Sequence, residues 1–406
     1  MAPEPTHFAP RGGWWAVGAG FTVLFVCTGV NFAFGILFKP ILNEFGGDRA
    51  TLSLAPTASL AIYSLSQPFF GSLIDRLGVR RVVLPSMALM AVGTGLVPLA
   101  AGPWQLMVCY GIIASLGYTG TSILPVSILV TKWFPGRRGF ALAVAACGFS
   151  LGHLVFTQVA ARAEKAMGWR WTYALMAAVL VAFLVVLTGW LRDPPRMPVA
   201  SGLPGPALDI AGSLNRRAAL GSGAFWWMTA GYIGCGFTDF LITTHLAPFA
   251  TDLGLAQSVA ANAISLFAAA NIAAILAAGV LADRFDSRSV LVGTYALRAA
   301  ALFLLLFVRE TWQLYLFAVL FGATFFTTAP LSSAFIGELF GPAFQGAIFG
   351  TTNMFHHMGG ALGSFAGGLV FDLTRSYAAI FLFSGAMVVA SAVTTWLARS
   401  PRRPSR

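Results

Sequence analysis

The sequence predicts an all-α membrane protein of twelve transmembrane helices, arranged as two six-helix bundles related by a pseudo-two-fold axis along the membrane normal. Three observations carry that prediction. Of the 406 residues, 57% are hydrophobic and 10% charged, whereas soluble domains run about 25% charged. The apolar residues fall in runs of about 20 between short polar breaks, the length of a helix that crosses a bilayer, and a helix satisfies its own backbone groups in lipid. The chain also repeats itself. Gly71, Asp75, Arg76 and Arg80 recur as Gly279, Asp283, Arg284 and Arg288, and Trp104-Gln105-Leu106 recurs as Trp312-Gln313-Leu314, always 208 residues later. Six helices per half leave both halves in the same orientation, so the repeats are parallel.

The first helix is expected from about Trp14 to Phe38, ended by Lys39-Pro40, with Gly29, Ala33 and Gly35 leaving room for close packing. Met1 to Pro10 carry no basic n-region and no small-residue cleavage pattern follows, so this helix reads as retained. The second helix, about Leu52 to Ile74, leads into the charged turn Gly71 to Arg81, and the third returns from about Val82 to Leu99. After Ala101-Gly102-Pro103 the fourth begins near Trp104. The fifth follows Trp133-Phe134-Pro135-Gly136-Arg137-Arg138, and the sixth spans about Thr172 to Leu191.

From Asp193 to Gly221 the composition shifts to Pro, Gly, Ser and charge, which marks a linker. Leu208, Ala211 and Leu214 could form a short interfacial helix within it. The expected organisation is therefore an N-terminal bundle over 1–192, a linker over 193–221 and a C-terminal bundle over 222–406. The second half supplies apolar runs near Ala224 to Ala247, Ala261 to Ala282, Ser289 to Val308, Trp312 to Ile336, Phe344 to Val370 and Tyr377 to Leu397.

Sidedness follows from the basic residues. Seventeen arginines and lysines fall in loops on one side and seven on the other, which places both termini in the cytoplasm of a cell (inner) membrane protein. The formal net charge of +11 is thereby explained by topology, and no nucleic-acid partner is expected, because the basic residues form no single patch with aromatic stacking partners. Cys27, Cys109, Cys147 and Cys235 lie scattered in apolar runs without metal-ligand spacing, so neither a zinc site nor a disulfide framework is expected, and no cofactor. No His-Glu-x-x-His or nucleophile–base motif points to an enzyme. The longest loop is too short for a receptor's soluble output domain.

The turn Gly71-x-x-x-Asp75-Arg76-x-Gly78-x-Arg80-Arg81 resembles the signature between the second and third helices of the major facilitator superfamily of secondary transporters. Trp133-Phe134 with Arg137-Arg138, Ala141, Gly148 and Gly152, together with Gly12-Gly13-Trp14, is similar to its monocarboxylate transporter branch. That resemblance implies alternating access to a midplane site. The implied cargo is a small organic anion such as a monocarboxylate, carried with protons by a chain that works as a monomer in the bilayer. It also implies a substrate-binding Arg on the eighth helix, where this chain offers only Asn262 and Asn271. The related oxalate-formate exchangers carry a Lys on the eleventh helix, and His356 or His357 stands there instead. Efflux of an amphipathic, drug-like compound is the rival expectation.

Ionisable groups at membrane depth mark functional sites by default. Asp239 lies in the seventh helix, one turn before Thr243. His356 and His357 follow Asn353 by three and four residues, so Asn353 shares a helical face with either, and an imidazole that titrates near neutrality could carry the coupled proton. Arg298 sits about 12 Å into the ninth helix, either as a fork for a substrate carboxylate or paired with Asp239. Asn31, Tyr118, Thr119, Phe325 and Asn271 could shape the pocket, while His153 and His245 are weaker candidates. For gating, Gly71, Asp75, Arg76, Arg80, Asp283, Arg284 and Arg288 are the candidates, and Asp75 and Arg76 with Asp283 and Arg284 are expected to latch the halves. Asp75 would meet the eleventh helix near Gly346 and Asp283 the fifth near Gly139, because helix N-termini attract carboxylates.

Overall fold

The computed structural model describes residues 11–45, 49–134, 138–193, 216–341 and 344–399. The linker residues 194–215, with the expected helix at Leu208, and Arg137 lie outside them. The first bundle comprises α1 (Arg11–Phe45), α2 (Arg49–Leu77), α3 (Arg80–Leu96), α4 (Pro103–Trp133), α5 (138–167) and α6 (169–190). The last two are continuous helix apart from Gly168, whose φ of 78° turns the chain back. A short helix, Arg216–Leu220, precedes the second bundle of α7 (Gly223–Asp252), α8 (Gln257–Arg284), α9 (Ser287–Leu304), α10 (Thr311–Gly322 and Thr328–Phe340), α11 (Gln345–Thr374) and α12 (Ala378–Leu397).

Helix ends are capped where the sequence supplies a cap. Ser222 accepts from Phe225 N at 3.2 Å and starts α7, Asp286 accepts from Ser289 N at 2.8 Å and starts α9, and Glu310 with Gln313 forms a capping box for α10. In the first bundle the cap for α3 comes from far along the chain, as Asp193 accepts from Val79 N at 2.8 Å.

The tenth helix departs from the continuous run expected from Trp312 to Ile336, because its backbone breaks over 323–327. Three threonine hydroxyls turn back onto carbonyls there, Thr324 to Phe321 at 2.7 Å, Thr327 to Ala323 at 3.0 Å and Thr328 to Phe325 at 3.1 Å. Such bonds compete with the helical ladder.

The repeat is visible in side-chain contacts as well as in sequence. Arg80 donates to the Thr188 carbonyl at 2.6 Å, and Arg288 donates to the Trp396 carbonyl at 3.4 Å while lying over its ring. Both partners are again 208 residues apart. These two arginines therefore tie α3 to α6 and α9 to α12 within each bundle. Arg76 and Arg284 are exposed at the turns.

The halves meet through two symmetry-related crossings on the face where α1 begins and α12 ends. At the first, Gly71 of α2 packs against the backbone of Gly346 on α11; at the second, Gly139 of α5 packs against the backbone of Gly279 on α8. A Cβ on Gly346 would sit 2.6 Å from the Gly71 carbonyl oxygen and 2.8 Å from Asp75. Backbone cannot yield as a flexible side chain does, so Gly346→Ala is expected to cost about 1–3 kcal/mol and to lower the melting temperature of the purified protein. An unchanged melting curve would show that these helices part freely.

Candidate functional site

Beyond that seal, toward the opposite face, the halves diverge around a cavity of about 660 Å³. Its floor is closed by contacts between bundles. Phe149 of α5 stacks on Phe326 of α10 with centroids 3.8 Å apart, and Tyr63 of α2 meets His357 of α11 edge-on at 4.7 Å. The wall is mostly apolar, with the rings of Phe32, Phe240, Phe267, Phe325 and Tyr118 among the lining residues. Such a wall favours apolar solutes through burial of area.

Six of the expected pocket residues reach this cavity: Asn31, Tyr118, Asp239, Asn353, His356 and His357. Phe325 lines it as well. Asn271 and Arg298 do not, which corrects their placing in the pocket; for Arg298 the alternative of a pair with Asp239 is the one seen. The Asn271 amide donates to the Gly322 carbonyl at 3.0 Å and accepts from Ser150 at 2.9 Å, so it cross-links α5, α8 and α10 beneath the floor.

Arg298 is fully buried on α9 behind the cavity wall. Its Nη1 lies 2.8 Å from Asp239 Oδ1, its Nε donates to the Thr324 hydroxyl at 3.1 Å, and its Nη2 donates to the carbonyls of Thr324 and Phe325. Those carbonyls are the ones that the break in α10 leaves without helical partners. The guanidinium thus joins α7, α9 and α10, and the Asp239 charge that reaches the cavity is already balanced.

His356 stacks on Tyr232 at 4.3 Å and its Nε2 lies 3.7 Å from Asp239 Oδ2. Its Nδ1 is 3.1 Å from the Tyr232 carbonyl. In the same way His357 Nδ1 is 2.8 Å from the Asn353 carbonyl, one turn back on its own helix. Cys235 Sγ, Asp239 and His356 come within 4.8 Å of one another. Arg298 Nη1 also donates to that sulfur at 3.0 Å, so the cluster already contains its cation and is a poor metal site.

Reading the sequence missed Tyr63, Phe149 and Phe326, whose roles depend on contacts between halves, and it underrated His153, which lines the cavity stacked on Phe32 at 4.3 Å. One signal for the buried pair was available. The 208-residue offset sets Asp239 against Asn31 and Arg298 against Met90, so both members of the pair are charged in one half and both are neutral in the other.

Of the gating residues, Gly71, Asp75 and Asp283 lie at the crossings. Asp75 accepts from Gly346 N at 3.2 Å and Ala347 N at 2.9 Å, and Asp283 accepts from Gly139 N at 2.8 Å and Phe140 N at 2.9 Å.

The comparisons agree with this architecture. The Major Facilitator Superfamily model matches residues 20–259 and 228–406. The uncharacterized MFS-type transporter YcxA of Bacillus subtilis is 26% identical over 95% of this chain and 95% of its own. Monocarboxylate transporter 13 of Rattus norvegicus is 25% identical over 93% of this chain and 87% of its own. Among solved structures, the transporter FucP in its outward conformation superposes with a TM-score of 0.74 at 16% identity, covering 96% of this chain and 100% of that one. The chain belongs to the major facilitator superfamily and is an integral membrane transporter, not an enzyme.

Proposed function

We propose that the protein is a secondary transporter of a small monocarboxylate or similar organic acid, moved with a proton across the cell membrane, with both termini in the cytoplasm. The observation that carries this reading is the cluster of Asn353, His356, His357 and Asp239 at one corner of a cavity lined mostly by apolar side chains. An apolar body is held by the rings and one polar end by the corner, and an imidazole can exchange the proton. The two bundles rock about this site, opening it alternately to each face.

Uptake of radiolabelled phenylacetate into proteoliposomes under an inward proton gradient tests the reading. Transport is expected to rise with the gradient and to collapse with a protonophore; uptake indifferent to both would overturn it. His356→Gln and His357→Gln, made separately, are expected to flatten the pH profile in one case and leave it nearly unchanged in the other. Two wild-type profiles would move the coupling group to Asp239.

A second reading is efflux of an amphipathic neutral compound. It is favoured by Arg298 being taken up by Asp239, which leaves no Arg or Lys among the described residues that line the cavity. Export of such compounds, with no uptake of organic acids, would select it.

A further inference from the structure

The hydrogen-bonding capacity of the polar corner is more restricted than its residue types suggest. A carbonyl oxygen can only accept, so His356 Nδ1, 3.1 Å from the Tyr232 carbonyl, and His357 Nδ1, 2.8 Å from the Asn353 carbonyl, must both carry the ring hydrogen. In each neutral ring Nε2 is left as a bare acceptor. His356 Nε2 faces Asp239, while among the described residues no partner is seen for His357 Nε2 on the cavity wall. Beside it, one helical turn away, Asn353 is 2% exposed and its Oδ1 accepts weakly from the Tyr232 hydroxyl at 3.5 Å. Its Nδ2 is buried against the cavity without a hydrogen bond of good geometry, the Tyr63 hydroxyl being the neighbouring side-chain oxygen. An orphaned buried donor is costly until a ligand meets it.

The site therefore presents one unsatisfied donor and one acceptor side by side. We infer that the transporter recognises a neutral donor–acceptor pair at one end of an apolar solute. An undissociated carboxylic acid, or a primary amide of the same shape, places its carbonyl on Asn353 Nδ2 and its O–H or N–H on His357 Nε2. This deepens the organic-acid reading above and rests on it. For an acid, the bridging proton stays on the acid oxygen and is shared with Nε2 as a hydrogen bond, so one proton accompanies each molecule bound and the complex gains no charge.

The groups around His357 leave that balance undisturbed. From α2 it meets the neutral Tyr63, which stacks on Tyr118 of α4; from α7 it meets Phe240 at 5.8 Å. On its own helix it meets His356 at 5.1 Å. The nearest fixed charges, Asp239 and Arg298, neutralise each other behind His356. No unpaired cation is within this set to hold a permanent anion.

Calorimetric titration of the full chain in nanodiscs with phenylacetate, phenylacetamide, methyl phenylacetate and phenylmethanesulfonate tests the inference without any substitution. Phenylacetamide is expected to bind with the same Kd at about pH 6 and about pH 8, whereas phenylacetate weakens by about tenfold per pH unit with one proton taken up per molecule. The methyl ester, which lacks the donor, should bind at least about tenfold more weakly than the amide, and the sulfonate should not bind. Asn353→Ala should weaken acid and amide by a similar factor of about ten or more; should that variant not fold, the ligand series still decides. Sulfonate binding as tight as phenylacetate, a pH-independent phenylacetate Kd, or acid binding without amide binding would overturn the neutral pair while leaving organic-acid transport standing. If none of the four binds, the organic-acid reading falls and takes this inference with it.

Discussion

Arg298→Met is expected to destabilise the protein by about 3–5 kcal/mol, because it leaves the Asp239 carboxylate buried without its counter-charge. The guanidinium is fully buried and 2.8 Å from that carboxylate, and it also holds the Thr324 and Phe325 carbonyls at the break in α10. Asp239→Asn alone should be nearly as damaging, since it strands the arginine. The double variant Asp239→Asn with Arg298→Met recreates the Asn31 and Met90 combination of the first repeat and is expected to recover most of the loss in melting temperature. What it will not recover is the part owed to the α10 carbonyls. A single Arg298→Met that melts like the parent, or a double variant no better than the singles, would show that the pair does not hold α7, α9 and α10 together.

The fold was legible because its determinants are local or periodic. Runs of apolar residues set the spans, and the turn at Asp75 and its copy at Asp283 set the duplication. The interruption in α10 was not legible, since Thr324, Thr327 and Thr328 are compatible with helix until their hydroxyls turn back onto the backbone. Site residues divided along the same line. His356, His357, Asn353 and Asp239 stood out as polar groups at membrane depth. Tyr63, Phe149 and Phe326 are ordinary in an apolar run and gain a role only where one bundle meets the other. Arg298 was noticed for its charge, but the sequence could not say that its side chain turns inward to α7 and away from any substrate. Asn271 misled for the opposite reason: a buried amide between helices has the same sequence signature whether it binds a solute or a neighbouring carbonyl.

Asp75→Ala is expected to release one of two equivalent clasps between the halves, shifting the protein toward a form open on the face of its termini. We propose that these clasps gate the transporter. Asp75 accepts two backbone N–H bonds from the first turn of α11, at Gly346 and Ala347. That helix has no side-chain cap and no acidic residue of its own there, so the carboxylate from the other bundle serves as its cap and complements its dipole. Hydrogen bonds to a charged group contribute about 1.5–3 kcal/mol, which corresponds to a shift of roughly tenfold to a hundredfold between the two orientations. Asp75→Asn keeps an acceptor and loses the charge, so its effect should be smaller than that of alanine. Asp283 repeats the arrangement at Gly139 and Phe140 on α5, a different helix from the one that Asp75 caps, so the two losses are expected to add in free energy. Spin labels on the exposed Leu77 and Phe344, one on each bundle at this face, would report the separation directly. The long-distance population should grow from Asp75→Asn to Asp75→Ala and further with Asp283→Ala added, while transport falls in the same order. Distances and transport that both stay at parental values in the double alanine variant would show that the closed face is held by the glycine crossings alone.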